Sequence, residues 1–71
     1  MIKLTLKDAI YNIMVGNTVL VNGNELVWTD KESNKTKRQV NYYDTKTVDD
    51  DMELIYQWLE DGATFELWKK E

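Results

Sequence analysis

The stretch NTVLVNGNELVWTD, residues 17–30, carries the strongest structural signal in this 71-residue sequence. Apolar residues that favour strands stand on both sides of Asn22-Gly23, the pair that best fits a type I′ turn with positive φ at both central positions. We therefore predict a β-hairpin here, with an antiparallel sheet built outward from it.

Helical and strand patterns continue on both sides of this hairpin. Before it, Thr5 is a good N-cap, and apolar residues then recur at helical spacing until Gly16, which is suited to end a helix. After it come a polar turn, a third strand, a second helix and a last strand, at 30–35, 36–43, 47–62 and 63–70. A short extended segment precedes the first helix.

Three consecutive carboxylates, Asp49, Asp50 and Asp51, stand at the start of the predicted second helix. Thr47 and Asp50 form a cap-like pair, and acids in a first turn are stabilised by unpaired N–H groups and the helix dipole, by about 0.3 to 1 kcal/mol each. A calcium loop alternates its ligands, whereas neighbours on a helix point about 100° apart. Helix initiation therefore explains this acidic patch best, with mimicry of a phosphate backbone as a minor alternative.

The second helix carries a broad apolar arc. Its main stripe follows helical spacing and is expected to pack on the sheet; its members are Val48, Met52, Ile55, Tyr56 and Leu59. Leu54 and Trp58 form an adjoining i, i+4 pair that widens the arc. Asp61-Gly62 is predicted to end the helix.

The predicted order of elements is (β)-α-β-β-β-α-β. It indicates an α+β domain in which two helices cover one face of a mainly antiparallel sheet of three to five strands. Since 71 residues can bury one core only, and no linker or repeat divides the chain, residues 1–71 are interpreted as a single small domain.

Composition excludes several classes of function. Histidine and cysteine are absent, so the commonest catalytic bases, nucleophiles and thiolate metal ligands are missing, and we expect neither catalysis nor a cofactor. A net charge of −4 argues against general affinity for nucleic acid. No apolar run approaches the roughly 20 residues that span a bilayer, and we expect a cytoplasmic protein without a membrane partner.

A basic cluster precedes the predicted third strand's tyrosines. Lys35, Lys37 and Arg38 could contact a nucleic-acid backbone while neighbouring rings stack on bases. The same alternation also describes a half-buried strand with lysines on its solvent face. The second interpretation is favoured, because no recognised nucleic-acid module accompanies the cluster.

Aromatic residues are in excess for so small a core. If Leu26 and Trp28 face the helices, Val27 lies on the other face of the sheet, where Tyr43 and Trp68 could join it. Trp58 is expected near the exposed edge of its helix. An apolar patch of this kind marks an interface unless strand twist and the chain ends cover it. The candidate interface consists of Trp28, Tyr43, Trp58 and Trp68.

The segment TLKDAIYNIMVGNTVLVNGNELVW, residues 5–28, together with FELW at 65–68, resembles small proteins of phages and prophages. Those proteins begin with a helix followed by GKKVxRxGW and end near DW. Some belong to the Thoeris anti-defence family, which sequesters a cyclic nucleotide signal inside an oligomer. Here Asn17 replaces the lysine after the glycine and no arginine follows Val19, so no binding residue is carried over. The resemblance implies a phage-type accessory protein that works by binding.

We therefore expect a non-enzymatic phage- or prophage-type accessory protein that binds a host protein through the aromatic patch. Whether it acts as a homodimer is left open by the sequence. The sequence also leaves open an oligomer that sequesters a nucleotide, and a small protein that binds or mimics nucleic acid, although nucleic acid is not the partner we expect.

Overall fold

The computed structural model describes residues 2–41 and 44–69. Two helices and six strands follow one another along the chain: β1 (Lys3–Leu4), α1 (Leu6–Met14), β2 (Val19–Val21), β3 (Glu25–Asp30), β4 (Lys35–Val40), β5 (Thr45–Thr47), α2 (Asp51–Asp61) and β6 (Phe65–Leu67). No helix in the described part of the chain is long and apolar enough to cross a membrane.

All six strands form one antiparallel sheet with the order β1-β6-β2-β3-β4-β5. The predicted α+β class is confirmed, although the sheet has six strands where three to five were predicted. The unpredicted strand is β5, which pairs with β4 through residues 37–39. All three of its residues are exposed and polar, so this edge strand shows no apolar alternation in the sequence.

The central hairpin is confirmed. Asn22 and Gly23 both have positive φ, 52° and 73°, as a type I′ turn requires. The backbone N–H of Asn24 donates to the carbonyl of Val21 at 3.2 Å and closes the turn. The turn fixes the register of β2 on β3, which decides which residues of the two strands share a face.

The predicted limits of α1 are confirmed as well. Thr5 is its N-cap, with the side-chain oxygen accepting from the backbone N–H of Asp8 at 3.2 Å. Gly16, with a φ of +97°, turns the chain away after the last helical residue. Ala9 and Ile13 are the buried residues of α1, and they pack on the sheet.

The predicted start of α2 is wrong by several residues. The N-cap is Asp50, whose carboxylate accepts from the backbone N–H groups of Met52 and Glu53 at 3.0 and 3.3 Å. Thr47 cannot cap the helix because it belongs to β5, where it pairs with Lys37 and accepts a hydrogen bond from the lysine ammonium at 2.5 Å.

The expected packing face of α2 is correct only in part: Val48 and Ile55 of the main stripe are partly buried against the core. Leu54 and Trp58, the pair at the margin of the predicted arc, are the buried residues of the helix. Met52, Tyr56 and Leu59 of the main stripe are exposed. The Trp58 ring meets the ring of Phe65 edge to face, with centroids 5.2 Å apart and an interplanar angle of 71°. This contact fixes the rotation of α2 about its axis.

The two faces of the sheet are the reverse of the prediction that placed Leu26 and Trp28 towards the helices. Val19, Val21 and Val27 are buried in the core cluster with residues of both helices, so these valines face the helices. Leu26 and Trp28 therefore point to the opposite face. Small, β-branched side chains under the helices allow a close approach between the two layers, as the full burial of Ala9 shows.

Candidate functional site

The sheet face turned away from α1 and α2, here called the open face, brings two tryptophans together. Val19 pairs with Val27 on one side and with Leu67 on the other. Because both pairings are antiparallel, the residue before Val19, Thr18, lies between the residues that follow its two partners. These residues are Trp28 and Trp68. The backbone N–H of Trp68 donates to the carbonyl of Thr18 at 3.0 Å, which extends this pairing by one residue. Antiparallel partners share a face, so both rings lie on the open face on either side of Thr18.

The neighbouring row of the open face is apolar at its centre. Leu20 pairs with Leu26, and both side chains are buried although they point away from the helices. Trp28 and Trp68 are half-buried. The tryptophans lie beside the buried leucines, and both helices pack on the other side of the sheet.

The candidate interface residues are therefore not all in one place. Trp28 and Trp68 share the open face, as an aromatic patch requires. Trp58 is 6% exposed and part of the core, so the expectation that it lies near the surface is wrong. Its ring packs against the ring of Phe65. The margin of the predicted arc, which carries Trp58, is therefore the side of α2 that meets the sheet. Tyr43 lies outside the described residues.

The basic cluster is divided between the two faces of the sheet. Lys37 pairs with Trp28, and Lys35 with Asp30, which places both lysines on the open face. Arg38 pairs with Val27 and therefore points to the helix side. The predicted basic patch of Lys35, Lys37 and Arg38 is thus not one surface, because neighbours along a strand alternate between faces.

On the helix side, Arg38 forms an ion pair with Glu25. The guanidinium Nη2 lies 2.6 Å from the carboxylate Oε2 of Glu25, which is 7% exposed. It is the only ion pair within residues 2–41 and 44–69. Oε1 of Glu25 and Nε of Arg38 are buried, and neither has a hydrogen-bond partner among the described residues. Burial of this carboxylate depends on its arginine partner.

The acidic patch serves to start a helix. Asp50 caps α2, Asp51 is its first residue, and Asp49 precedes the cap. Within the described residues, no three or more carboxylates are grouped so as to hold a metal ion.

One carboxylate has a shifted titration. Asp30 accepts a hydrogen bond from the Ser33 hydroxyl at 2.9 Å and another from the backbone N–H of Glu32 at 3.2 Å. Both bonds favour the charged form, so they hold the pKa of Asp30 below its usual value of 3.8. The bonds close the turn between β3 and β4, where Asn34 takes a φ of +57°.

A second candidate site, here called the inter-helix groove, lies on the helix side of the molecule. It is an apolar groove of about 470 Å³ between α1 and α2 above β3 and β4. Its lining is mainly aliphatic and includes Ile10, Met14, Met52, Ile55 and Trp58. Part of the main stripe of α2 lines this groove. Helical spacing alone predicts that the stripe belongs to the core, so the sequence does not indicate a groove.

No protein-family model matches the sequence, and neither a curated protein nor a solved structure is significantly similar to it.

Proposed function

We propose that this chain is a non-enzymatic binding protein that engages a host protein through the open face of its sheet. The observation that carries the proposal is the placement of Trp28 and Trp68 on either side of Thr18, on a face over which no described helix packs. Tryptophan is the residue type most enriched at the energetic centres of protein interfaces.

The surroundings of the two rings fit a protein interface. The two half-buried rings form the apolar centre, with Leu20 and Leu26 buried in the neighbouring row. Lys37 stands next to Trp28 in the same row. Interfaces commonly combine such an apolar centre with a polar rim. Thr47, which pairs with Lys37, extends the polar side of the row towards the edge of the sheet.

The proposed biological setting is based on the resemblance of residues 5–28 and 65–68 to small phage and prophage proteins. We propose an accessory role of phage or prophage type, in the cytoplasm of the host cell. The absence of histidine and cysteine supports binding over catalysis as the means of action.

One observation favours a second candidate, the binding of single-stranded nucleic acid. Trp28 and Lys37 are cross-strand neighbours on an open sheet face, which is an arrangement that can stack a base and neutralise a phosphate. The net charge of −4 weighs against it. Arg38 lies on the other face and cannot contribute to such a site.

The proposal is tested by comparing two double variants as bait in a bacterial lysate. Trp28→Ala with Trp68→Ala removes the open-face anchors, whereas Tyr11→Ala with Tyr56→Ala removes two exposed rings from the helix side. We expect the first pair to lower the amount of captured protein at least about tenfold, as loss of interface anchors does. The second pair is expected to capture as wild type does.

Two further measurements separate a host protein from nucleic acid and from a second copy. If nuclease treatment removes the captured material, and capture falls steeply as salt rises from about 50 to 200 mM, the protein binds nucleic acid instead. If light scattering shows a dimer in wild type and a monomer after Trp28→Ala with Trp68→Ala, the open face joins two copies. Equal capture by both double variants, with both folded by circular dichroism, would contradict the proposal.

A further inference from the structure

The inter-helix groove opens between two methionines. Met14, the last residue of α1, is 73% exposed, and Met52, near the start of α2, is 52% exposed. Ile10 and Ile55 line the groove on the same two helices. Methionine side chains are flexible and polarisable, so they can adapt to an apolar ligand of irregular shape.

The groove is large enough to accept several side chains of a partner. Its volume of about 470 Å³ lies within the range of roughly 300 to 1,000 Å³ found for ligand cavities. Thr29 and Thr36, a cross-strand pair of β3 and β4, are the sheet residues that line it. The groove therefore offers apolar walls and a mildly polar base.

The helix layer, defined as α1 together with residues 49–61, is strongly acidic. Lys7 is its one cation, against seven carboxylates: Asp8, Asp49, Asp50, Asp51, Glu53, Glu60 and Asp61. The whole chain has a net charge of −4, so the remainder of the molecule is net positive. None of the seven forms an ion pair with a described residue, and Asp51 lines the groove itself.

This charge distribution selects the chemistry of the occupant. A cationic partner is attracted to the helix layer, whereas a second copy of this chain seated groove to groove would bring the same acids against it. An anionic lipid surface is repelled for the same reason. A partner that is basic as well as apolar therefore fits the groove best.

The sheet below the groove selects the conformation of the occupant. Both β3 and β4 are paired along both of their edges, β3 with β2 and β4, and β4 with β3 and β5. Among the described strands, none leaves an edge in the groove that could pair with an extended peptide. A segment that enters it must satisfy its own backbone hydrogen bonds, which a helix does.

From these observations we propose that the inter-helix groove binds a cationic amphipathic helix of a partner protein. Apolar side chains on one face of that helix fill the space between Met14 and Met52, and lysines or arginines on its flanks meet the carboxylates of the helix layer. This site lies on the side of the sheet opposite the open face and is independent of the function proposed above.

The test uses a synthetic helical peptide of about 16 residues, which at 1.5 Å per residue spans about 24 Å and matches the 31 × 27 × 23 Å dimensions of the protein. Leucines occupy its i, i+3, i+4 and i+7 positions and lysines its flanks. A control peptide keeps the leucines and carries glutamates in place of the lysines. Binding is measured by fluorescence anisotropy at about 50 and about 500 mM salt.

We expect the lysine peptide to bind wild type at least about tenfold more tightly than the glutamate peptide, and to weaken at high salt. Met14→Ser with Met52→Ser removes the apolar mouth and is expected to weaken binding about tenfold. Asp49→Asn with Asp51→Asn, which leaves the Asp50 cap intact, is expected to weaken it several-fold.

Matched controls carry equivalent changes elsewhere on the surface. Ile2→Ser alters an exposed aliphatic residue outside the groove, and Glu32→Gln with Asp44→Asn removes two carboxylates outside the helix layer. These variants are expected to bind the lysine peptide within about twofold of wild type. Trp28→Ala with Trp68→Ala should also leave peptide binding intact, which separates this site from the open face.

Three results would overturn the inference. The first is equal binding of the lysine and glutamate peptides, which would indicate an apolar ligand site without charge selection. The second is unchanged binding after Met14→Ser with Met52→Ser. The third is a dimer of wild type that this same double variant converts to a monomer, which would make a second copy the occupant.

Discussion

Trp58 is the largest side chain among the buried core residues, and its environment explains why α2 faces the sheet as it does. Its ring contacts Phe65 of β6 edge to face, an arrangement that stabilises aromatic pairs by about 0.5 to 1.5 kcal/mol beyond area burial. The sequence predicts that Trp58 lies on α2. Its burial depends on which side of α2 faces the sheet, and a broad apolar arc does not decide that rotation.

We expect Trp58→Ala to lower the free energy of unfolding by about 3 to 5 kcal/mol, because it removes a buried ring and leaves a cavity. Tyr56→Ala, two residues away on the exposed side of the same helix, is expected to cost less than about 1 kcal/mol. Urea unfolding of both variants measures the difference. Equal losses would mean that the two residues are equally buried.

The ion pair of Arg38 and Glu25 gives a second expectation at this scale. Arg38→Met leaves the buried carboxylate of Glu25 without its partner, and we expect a loss of about 1 to 3 kcal/mol of stability. Adding Glu25→Gln removes the stranded charge, so the double variant should regain part of that loss. A double-mutant cycle from denaturant unfolding measures the coupling, and additive losses would contradict it.

The hydrogen bonds that Asp30 accepts are sensitive to acid. Since its pKa is lowered in the folded state, the stabilisation is present above the usual value of 3.8 and is lost as pH falls through the lowered pKa. Ser33→Ala removes the hydroxyl donor and should raise the pKa of Asp30 in an NMR titration. Glu32→Gln keeps the backbone donor and should leave it almost unchanged. A pKa that Ser33→Ala fails to move would contradict the assignment of Ser33 as the main cause.

At the scale of elements, the sequence predicts starts, turns and ends correctly where one or two residues determine them. Thr5 starts α1, Asn22-Gly23 forms the hairpin turn, and Gly62, with a φ of +60°, ends α2. Strand β5 could not be predicted, because an exposed edge strand of three polar residues depends on its pairing with β4 and not on its own pattern. Its formation also displaced the predicted cap of α2 from Thr47 to Asp50.

The N-cap role of Asp50 can be tested with two variants that each lose one negative charge. Asp50→Ala removes the acceptor for two backbone N–H groups and should cost about 0.5 to 2 kcal/mol of stability. Asp49→Ala removes the same charge one residue earlier and should cost only a few tenths of a kcal/mol. Thermal unfolding of the two variants compares them. If Asp49→Ala is the more damaging change, the helix starts elsewhere.

At the scale of the whole molecule, one core leaves two apolar surfaces on opposite sides of the sheet. The α+β class followed from element order, and Trp28 and Trp68 were predicted as interface residues from the excess of aromatic side chains. Their position on one face, on either side of Thr18, follows from the register of β2, β3 and β6. No local sequence pattern predicts that register. The inter-helix groove was hidden for a similar reason, since its lining comes from both helices and the sheet.

The most direct measurement of the central claim is iodide quenching of tryptophan fluorescence in the free protein and in its complex with a captured partner. Trp58 is buried, so quenching in the free protein reports Trp28 and Trp68 on the open face. We predict that quenching falls sharply when the partner binds, because its surface shields both rings. Quenching that is the same in the free and bound protein would contradict the proposed role of the open face.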